Sequence, residues 1–461
     1  MATKGIGSIG VRLRRDSYRF SVVIVLSILS ATTSLVAAPI SLTGGTYMQD
    51  FNTLALSGTS STVPAGWEFV ETGTSTQVNG VYTAGTGSSA TGDVYSFGST
   101  SSSERAFGML LSTTFEGTIG AVFTNNTGGT ITDLQVAYTG EQWRLGAENR
   151  VDRINFELNP TGTNITSGAF TSITALDFVA PATSVTGAKD GNLAANRTLK
   201  NHTITGLTIL NGQTFAIRWT ETNATGADDG LAVDDFSLTP TFTLPPPDPM
   251  LNEFVANHTG ADTMEFVEII GAVNTNYSAF TILQIEGDSG AAAGTIDSVF
   301  TLGTTDANGL WATAFQSNQL ENGSMTLLLV EHFTGTNGTD VDTNDDGIID
   351  VTPWSRIVDS VAVSDGGAGD LFYALTVLLP GFDGDPFAVG GASRLPDGTG
   401  SWVRNAFDPA APNPGNAVNT HGALNQLAPI TGTVPEPASV ATLLLGAAIL
   451  SRRRVTARSI D

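Results

Sequence analysis

The stretch Ile131-Thr132-Asp133-Leu134-Gln135-Val136-Ala137-Tyr138 decides the fold class, because its apolar and polar residues alternate with a period of two. Such a period is typical of a β-strand with one buried face and one exposed face. Leu134, Val136 and Tyr138 share a face, and we expect that face to point into a hydrophobic core. The stretch therefore predicts a half-buried strand and not an amphipathic helix.

The same signal recurs on both sides of this stretch. We predict further strands at residues 119–124, 153–158, 202–209 and 214–220. Asn126-Thr127-Gly128-Gly129 and Asn211-Gly212 have the composition of turns and lie between the predicted strands. The chain contains 52 Gly and shows no long helical periodicity between its two ends. We therefore predict an all-β fold.

A proline-rich segment, Leu244-Pro245-Pro246-Pro247-Asp248-Pro249, predicts a semi-rigid spacer between two domains. We expect residues 39–243 to form a first β-sandwich of jelly-roll type, because its predicted strands are short and evenly spaced. Residues 250–422 form a predicted second β-sandwich, and residues 423–433 a flexible linker. A chain of 461 residues is long enough for two such domains.

The first 38 residues have the layout of a secretory signal peptide. A basic region containing Arg12, Arg14 and Arg15 precedes the apolar residues 20–29, and small residues follow up to Ala38. This order predicts a signal helix that directs export and is removed.

The other end of the chain has three parts. They are Pro435-Glu436-Pro437, the mostly apolar residues 438–450, and Arg452-Arg453-Arg454. The apolar part is shorter than the ~20 residues of a stable transmembrane helix, and the arginines would stay on the cytoplasmic side of a membrane.

This layout resembles the PEP-CTERM sorting signal of Gram-negative bacteria. The resemblance implies that residues 434–461 form a hydrophobic sorting helix, which holds the chain in the membrane only transiently. It also implies cleavage by an exosortase, a membrane transpeptidase, and delivery to the cell surface, the outer membrane or the extracellular matrix.

The charge of the chain narrows the classes of partner. It carries 20 Lys and Arg against 44 Asp and Glu, a formal net charge of −24. A surface of this sign argues against binding to nucleic acid phosphates and favours affinity for cations. The chain has no cysteine, so no disulfide braces it.

Six short phrases of the first domain, in this order, resemble a jelly-roll-like module of exported bacterial proteins. They are Asp50-Phe51-Asn52, Pro64-Ala65-Gly66-Trp67, and the phrases at 92–98, 104–108, 138–144 and 230–236. The resemblance implies a sandwich with little defined chemistry, of a kind that often binds carbohydrate.

The second domain carries another ordered set of phrases. They are Asn252-Glu253-Phe254, Glu265-Phe266-Val267-Glu268-Ile269, Arg394-Leu395-Pro396-Asp397-Gly398, Trp402 and Pro414-Gly415-Asn416. This order resembles the lamin-tail domain, an immunoglobulin-like β-sandwich, although the turn after Glu268 differs and an acidic insertion is present. The resemblance implies a binding or scaffold module.

The acidic insertion contains Asp342-Thr343-Asn344-Asp345-Asp346-Gly347-Ile348-Ile349-Asp350. Alternate oxygens and a glycine turn at this spacing favour a hard cation. We predict calcium bound by Asp342, Asn344, Asp346, the carbonyl of Ile348 and Asp350, with Asp340 or Asp359 completing the shell. Pro353 stands where an EF-hand has Glu, so the loop is closer to those of dockerin or thrombospondin type-3 repeats. The alternative is a solvated acidic hairpin loop.

A weaker calcium hypothesis concerns the end of the first domain. Asp228-Asp229 and Asp234-Asp235 follow Glu221, and Asp50 is placed near the first strands to be their partner. The alternative interpretation is a turn followed by acidic residues at the start of a strand.

Glu141-Gln142-Trp143-Arg144 follows the alternating stretch and is a candidate ligand contact. Trp143 would stack on a sugar, while Glu141 and Arg144 would bind hydroxyl groups; Trp67 and Trp219 are further candidates. The alternative is a core tryptophan beside a structural Arg–Glu pair.

Catalytic motifs are missing from the sequence. The four histidines, His202, His258, His332 and His421, are far apart and fit no zinc pattern, and no G-x-S-x-G or P-loop occurs. We predict an exported, non-catalytic adhesion, scaffold or glycan-binding protein whose partners are extracellular polysaccharide or surface proteins. The alternatives are a polysaccharide hydrolase with an unrecognised carboxylate pair and an accessory protein that tethers a secreted hydrolase.

Overall fold

The computed structural model describes residues 38–429, and these residues form strands joined by turns, with a short 3-10 helix at Thr174–Leu176. The prediction of an all-β fold is confirmed. Both flanking helices, the signal peptide apart from Ala38 and the sorting signal all lie outside the described residues. Within residues 38–429, no helix is long and apolar enough to cross a membrane.

The chain divides into two compact units between Pro245 and Pro246, inside the proline-rich segment. Sixteen strands build the first unit. They are β1 (Ile40–Leu42), β2 (Tyr47–Gln49), β3 (Thr59–Ser60), β4 (Trp67–Gly73), β5 (Tyr82–Gly85), β6 (Asp93–Phe97), β7 (Ala106–Leu110), β8 (Phe115–Asn125), β9 (Thr130–Leu145), β10 (Arg153–Asn159), β11 (Thr171–Ser172), β12 (Phe178–Val179), β13 (Gly187–Ala188), β14 (Arg197–Ile204), β15 (Thr214–Glu221) and β16 (Gly230–Thr243).

Two sheets form the first sandwich. One has the order β1-β8-β15-β10-β11, with β4 also paired to β8 and β12 to β10. The other has the order β13-β9-β16-β7-β6-β5-β3, with β14 also paired to β9 and β2 to β16. From β8 to β16 the chain passes repeatedly from one sheet to the other, which is the connectivity expected of a jelly-roll-like sandwich.

The core of the first sandwich lies between its two sheets, where the apolar faces of β9 and β15 meet. Leu134, Val136 and Tyr138 of β9 are fully buried, as are Ile217 and Trp219 of β15. The Tyr138 ring meets the Trp219 ring edge-on, with centroids 5.3 Å apart. Burial of these large apolar surfaces is the main term that holds the two sheets together.

Two strand boundaries differ from the sequence prediction. The strand predicted at 202–209 is β14, which ends at Ile204; Ile209 instead forms an isolated bridge with Ile131. The strand predicted at 131–138 continues to Leu145. Residues 140–143 are buried on both faces of the sheet, so the alternation that marked the strand is lost there.

Ten strands build the second unit. They are β17 (Met250–Val255), β18 (Phe266–Ile270), β19 (Phe280–Glu286), β20 (Ile296–Thr301), β21 (Leu310–Ala312), β22 (Met325–Glu331), β23 (Arg356–Val363), β24 (Val377–Leu378), β25 (Gly391–Leu395) and β26 (Ser401–Arg404). The sheet orders are β21-β18-β17-β25-β26 and β20-β19-β22-β23-β24. Phe254 and Ile269 of the former sheet share a buried cluster with Ile282 and Leu329 of the latter, so this unit is also a two-sheet sandwich.

Candidate functional site

The residues expected to contact a sugar lie inside β9 rather than after it. Trp143 is 1% exposed, and its ring is parallel to that of Phe97 with centroids 6.0 Å apart. Its Nε1 donates a hydrogen bond of 2.9 Å to Glu141 Oε2, and Glu141 is also buried. The expectation that Trp143 stacks on a sugar is therefore wrong, because its ring belongs to the core.

The other candidate sugar contacts of the first domain also bond to or pack against residues of that domain. Arg144 Nη1 donates to the carbonyl of Gly87 at 3.1 Å. Trp67 and Trp219 are fully buried and stacked, with ring centroids 5.9 Å apart. The first domain thus presents none of its three tryptophans to a ligand.

Asp228 and Asp229 belong to an acidic group around Arg150. The guanidinium of Arg150 lies 2.6 Å from Asp152 and 3.4 Å from Asp228. Both carboxylate oxygens of Glu221 are buried there, and neither has a hydrogen-bond partner among residues 38–429. Burial, and then the like charges of Asp152, Asp228 and Asp229, hold the pKa of Glu221 well above its usual value.

The weaker calcium hypothesis is wrong for Asp228 and Asp229, which lie apart from Asp50, whereas Asp50 and Asp235 do come close together. Asp50 follows β2, whose Gln49 pairs with Phe236 of β16, and it lines a shallow depression together with Asp235. Asp228 lies two residues before β16 begins at Gly230 and eight positions before Phe236 along the extended chain, so it is far from Asp50.

Asp234 and Glu141 do come together, and the third member of their group is Glu104. One carboxylate oxygen of each lies within 4.8 Å of the others. Desolvation by burial raises the pKa of Glu141 to about 7 and that of Asp234 to about 9. The sequence offered no signal for this group, since its members are far apart along the chain.

The turn of the aspartate-rich loop is held by hydrogen bonds from its backbone N–H groups to its own aspartate side chains. Asp342 is fully buried and accepts hydrogen bonds from Gly347 N at 2.8 Å and from the Tyr373 hydroxyl at 2.9 Å. Asp346 accepts from Ile348 N at 2.9 Å. Within residues 38–429, the groups of three acidic or histidine side chains with ligand atoms in mutual reach of 4.8 Å lie elsewhere. Calcium binding by this loop stays a prediction.

A second group of three carboxylates, Asp288, Asp365 and Asp370, lies in the second domain. Ser324 donates its N–H to Asp288 at 2.9 Å and its hydroxyl to Asp370 at 2.6 Å. The protein thus supplies hydrogen-bond donors to this group.

The residues that carry the lamin-tail resemblance meet in a buried polar network. Asn252 Nδ2 donates to Glu268 Oε1 at 3.1 Å and to Asp397 Oδ1 at 3.0 Å. Gly398 N donates to Asn252 Oδ1 at 2.8 Å, and Gly422 N to Glu268 Oε2 at 2.7 Å. Burial nevertheless raises the pKa of Glu268 to about 8.

Glu253 anchors the other half of this network. Its carboxylate accepts from Asn405 Nδ2 at 2.7 Å, from Thr420 N at 3.1 Å and from the Thr420 hydroxyl at 2.7 Å. Asn425 Nδ2 donates to the carbonyl of Asn252 at 3.1 Å. Asn252 and Glu253 therefore join the chain around residues 420–425 to β17 by hydrogen bonds, and their role is structural.

A groove of about 670 Å³ in the second domain lies between the loop before β25 and the chain after β26. Two phenyl rings line it, and both are largely exposed: Phe387 by 74% and Phe407 by 54%. Exposed aromatic rings that share one concave surface are typical of a binding site.

Polar side chains line the same groove. They are Asp385, Asp408, Asn413 and Asn416. Asp385 uses one oxygen to accept from Phe387 N at 3.1 Å, which leaves its other oxygen for a ligand. In the described part of the chain, the side-chain amides of Asn413 and Asn416 make no hydrogen bond. The groove thus offers donors and acceptors beside apolar rings.

Arg404 fixes the loop that carries Phe387. Its guanidinium is buried and donates to both Asp383 oxygens, at 2.8 and 3.1 Å. It also donates to the carbonyls of Ala388 at 2.9 Å and Phe387 at 3.1 Å. Because the buried guanidinium bonds to the loop at several points, the loop loses little conformational entropy when a ligand binds.

Comparisons with known proteins assign no family. No family model matches the chain, and no curated protein matches it. Among solved structures, TmCBM61 in complex with β-1,4-galactotriose shows 16% identity over 31% of this chain and 74% of that chain, with a TM-score of 0.19.

Two other solved structures are similarly distant. The glycoside hydrolase domain of Endo-D from Streptococcus pneumoniae shows 11% identity over 65% of this chain and 42% of that chain, with a TM-score of 0.23. The adhesin domain of Epf from Streptococcus pyogenes shows 12% identity over 50% of this chain and 74% of that chain, with a TM-score of 0.19. These scores are too low to argue for a shared fold or function.

Proposed function

We propose that the chain is a non-catalytic saccharide-binding protein of the bacterial cell exterior and that the groove between Phe387 and Phe407 binds the saccharide. The observation that carries the proposal is the pair of exposed phenyl rings in one polar groove. A pyranose ring has an apolar face of C–H groups and a rim of hydroxyls, so it matches a surface on which phenyl rings alternate with carboxylates and amides.

The polar groups of the groove suit a neutral or cationic saccharide better than an anionic one. Asp385 and Asp408 bring negative charge to the groove, and the guanidinium of Arg404 is already committed to Asp383 and backbone carbonyls. A polyanionic chain would therefore meet like charge, and no other cationic side chain is among the described residues that line the groove.

Export and surface delivery belong to the same proposal and rest on the two ends of the sequence. The residues 1–38 supply the export signal, and Pro435, Glu436 and Pro437 supply the processing site for an exosortase. Replacement of these three residues by alanine should leave the chain uncut, and mass spectrometry of the C-terminal peptide in whole cells measures this. Normal cleavage of the altered chain would remove the exosortase from the proposal.

Saccharide binding is tested with a glycan array, followed by calorimetry of the full chain with the best neutral oligosaccharide. Phe387→Ala and Phe407→Ala should each weaken binding at least tenfold, because each removes one stacking surface. Phe315→Ala is the matched control, since Phe315 is 52% exposed in the same domain but lies outside the groove. The thermal midpoint of the two groove variants should stay near that of the wild type, whereas that of Phe315→Ala should fall slightly because Phe315 stacks on His421.

Two results would overturn the proposal. One is saccharide binding that survives both groove substitutions, and the other is no binding to any saccharide on the array. Release of reducing ends from matrix polysaccharide, abolished by a single Asp or Glu substitution, would instead favour the hydrolase alternative.

A further inference from the structure

The group formed by Glu104, Glu141 and Asp234 lies where three neighbouring strands of the first domain meet. Glu141 is in β9, Asp234 is in β16 between β9 and β7, and Glu104 precedes β7. The strand register pairs Ala232 with Glu141 and Val233 with Phe107. This pairing brings three distant carboxylates to one point, with one oxygen of each within 4.8 Å of the others.

One oxygen of each carboxylate accepts a hydrogen bond from an N–H group of the protein. Trp143 Nε1 donates to Glu141 Oε2 at 2.9 Å, and Asp235 N donates to Asp234 Oδ1 at 2.8 Å. The side-chain amide of Asn192 donates to Glu104 Oε2. The carboxylates are therefore oriented by the fold before any ligand arrives.

The remaining oxygens of Glu104 and Glu141 have no partner. Glu141 is 1% exposed, and both its Oε1 and Glu104 Oε1 are buried without a hydrogen bond within residues 38–429. An unpaired buried carboxylate oxygen is rare in folded proteins, because the lost hydration is not replaced. Unpaired buried oxygens in a group of three neighbouring carboxylates point to a bound cation.

The net negative charge of the three carboxylates and their neighbours suits a divalent cation. Three carboxylates face one another, and Arg197 lies opposite Glu141 in the pairing of β9 with β14. Asp235 adds negative charge nearby, while the Arg105 guanidinium is turned away towards Ser96. The donor set contains only oxygen, which suits a hard cation and not a soft metal.

We propose that Glu104, Glu141 and Asp234 bind a divalent, oxygen-seeking cation of the calcium type in the first domain. Calcium accepts carboxylates in irregular arrangements and takes up to 8 oxygens, so water molecules would complete the shell on the half-buried side of Glu104. The ion would link β9, β16 and the chain before β7, and would thereby stabilise the middle of the larger sheet.

Calorimetry of the full chain with calcium, after treatment with EDTA, tests the site. Wild-type protein should bind calcium, and the unfolding midpoint of its first domain should rise. Glu141→Gln and Glu104→Gln should each weaken binding at this site at least tenfold. Glu116→Gln is the matched control, because Glu116 is exposed on β8. Glu104 is only half buried, so its variant keeps the test valid if Glu141→Gln fails to fold.

Terbium provides a readout specific to this site. The Trp143 indole donates to a ligand carboxylate, so excitation of this ring should sensitise the emission of a bound terbium ion. Trp143→Phe should remove most of that emission, and added calcium should quench it in the wild type.

The proposal fails if both Gln variants bind calcium as the wild type does, or if calcium at millimolar concentration neither binds nor shifts the first-domain midpoint. Either failure leaves the saccharide groove of the second domain untouched, since that groove is tested with different variants.

Discussion

Within residues 38–429, the first domain has six buried carboxylate oxygens without a hydrogen-bond partner, whereas the second domain has one. The six belong to Glu71, Glu104, Glu141, Asp152 and, with both oxygens, Glu221, while the one is Oε1 of Glu265. Glu253 of the second domain is buried as deeply as Glu141, yet Thr420 and Asn405 occupy both its oxygens.

The difference shows two ways in which an acidic chain without cysteine can bury carboxylates. N–H and O–H donors favour the charged form of a carboxylate and join it to other chain segments. A buried carboxylate oxygen without a donor favours the uptake of a proton or a cation. We expect Glu253 to stabilise the second domain through its donors and the unpaired carboxylates of the first domain to respond to pH or to cations, whereas burial makes Glu268 respond to pH in spite of its two donors.

The largest effect on stability should come from Glu253→Gln, which tests whether the second domain depends on the hydrogen bonds that Glu253 accepts. The amide group of Gln would face Asn405 Nδ2 or Thr420 N, and leave at least one buried donor unpaired. We expect a loss of about 3 kcal/mol in the free energy of unfolding, measured by urea denaturation of the full chain. Glu321→Gln, which keeps an acceptor for Gly323 N, should change it by less than ~0.5 kcal/mol. Equal effects of the two substitutions would break the comparison.

Glu268 is the residue at which the second domain should respond to pH. Its pKa is raised from an ordinary value near 4.5 to about 8 in the folded state, so between these values the folded chain binds more protons than the unfolded chain. The stabilisation of the folded state by the Glu268 proton is complete below pH 4.5 and is lost as pH rises through 8. We expect a decrease on the order of 2 kcal/mol between pH 5 and pH 9.

The measurement for Glu268 is urea denaturation of the second domain within the full chain across that pH range. Glu268→Gln should flatten the decrease, because the variant has no proton to lose. An unchanged slope in the variant would assign the pH response to other carboxylates.

Glu221→Gln should have the opposite sign from Glu253→Gln. No donor is lost, and the substitution removes a carboxylate whose ionisation is opposed by burial and by the charges of Asp152, Asp228 and Asp229, which raise its pKa. Because ionisation of Glu221 is unfavourable in the fold, we expect the first domain of the variant to gain about 1 kcal/mol over the wild type at pH 9 and less at pH 5. Differential scanning calorimetry at both pH values measures this. A loss of stability at pH 9 would show that Glu221 has a partner in solution.

The smallest effect should come from Asp346→Ala in the aspartate-rich loop. Asp346 is exposed, so the substitution should change stability by at most ~0.5 kcal/mol while it removes one predicted calcium ligand. Calcium titration after Glu141→Gln has silenced the first domain should then show whether the loop binds. Equal calcium binding with and without Asp346 rejects the loop as a calcium site.

Alternation in the sequence predicted β9 correctly along the part of the strand that has one buried face. Leu134, Val136 and Tyr138 are in the core as expected, because alternation reports a difference between two faces. It failed at Trp143, where β9 is covered on both sides and the pattern disappears. The expected ligand contact was therefore a core residue.

The candidate sites were harder to predict, for a different reason. Glu104, Glu141 and Asp234 meet through strand pairing between distant segments, which leaves no local spacing to recognise. Phe387 and Phe407 lie in irregular loops, where exposure depends on how Arg404 holds the chain. The phrases of the lamin-tail resemblance were visible in the sequence, but their shared network of Asn252, Glu253 and Glu268 became clear only in the fold.

The bond from Thr420 to Glu253 spans 167 positions of the chain, and this distance has a consequence for the order of assembly. A polypeptide that leaves a ribosome or a translocation pore appears from its N-terminus. The strand that opens the second domain must therefore wait, with Glu253 hydrated and ionised, until almost the whole domain has emerged. A closure that depends on the last residues of the domain delays its folding, so the strand that carries Glu253 stays unfolded until those residues arrive.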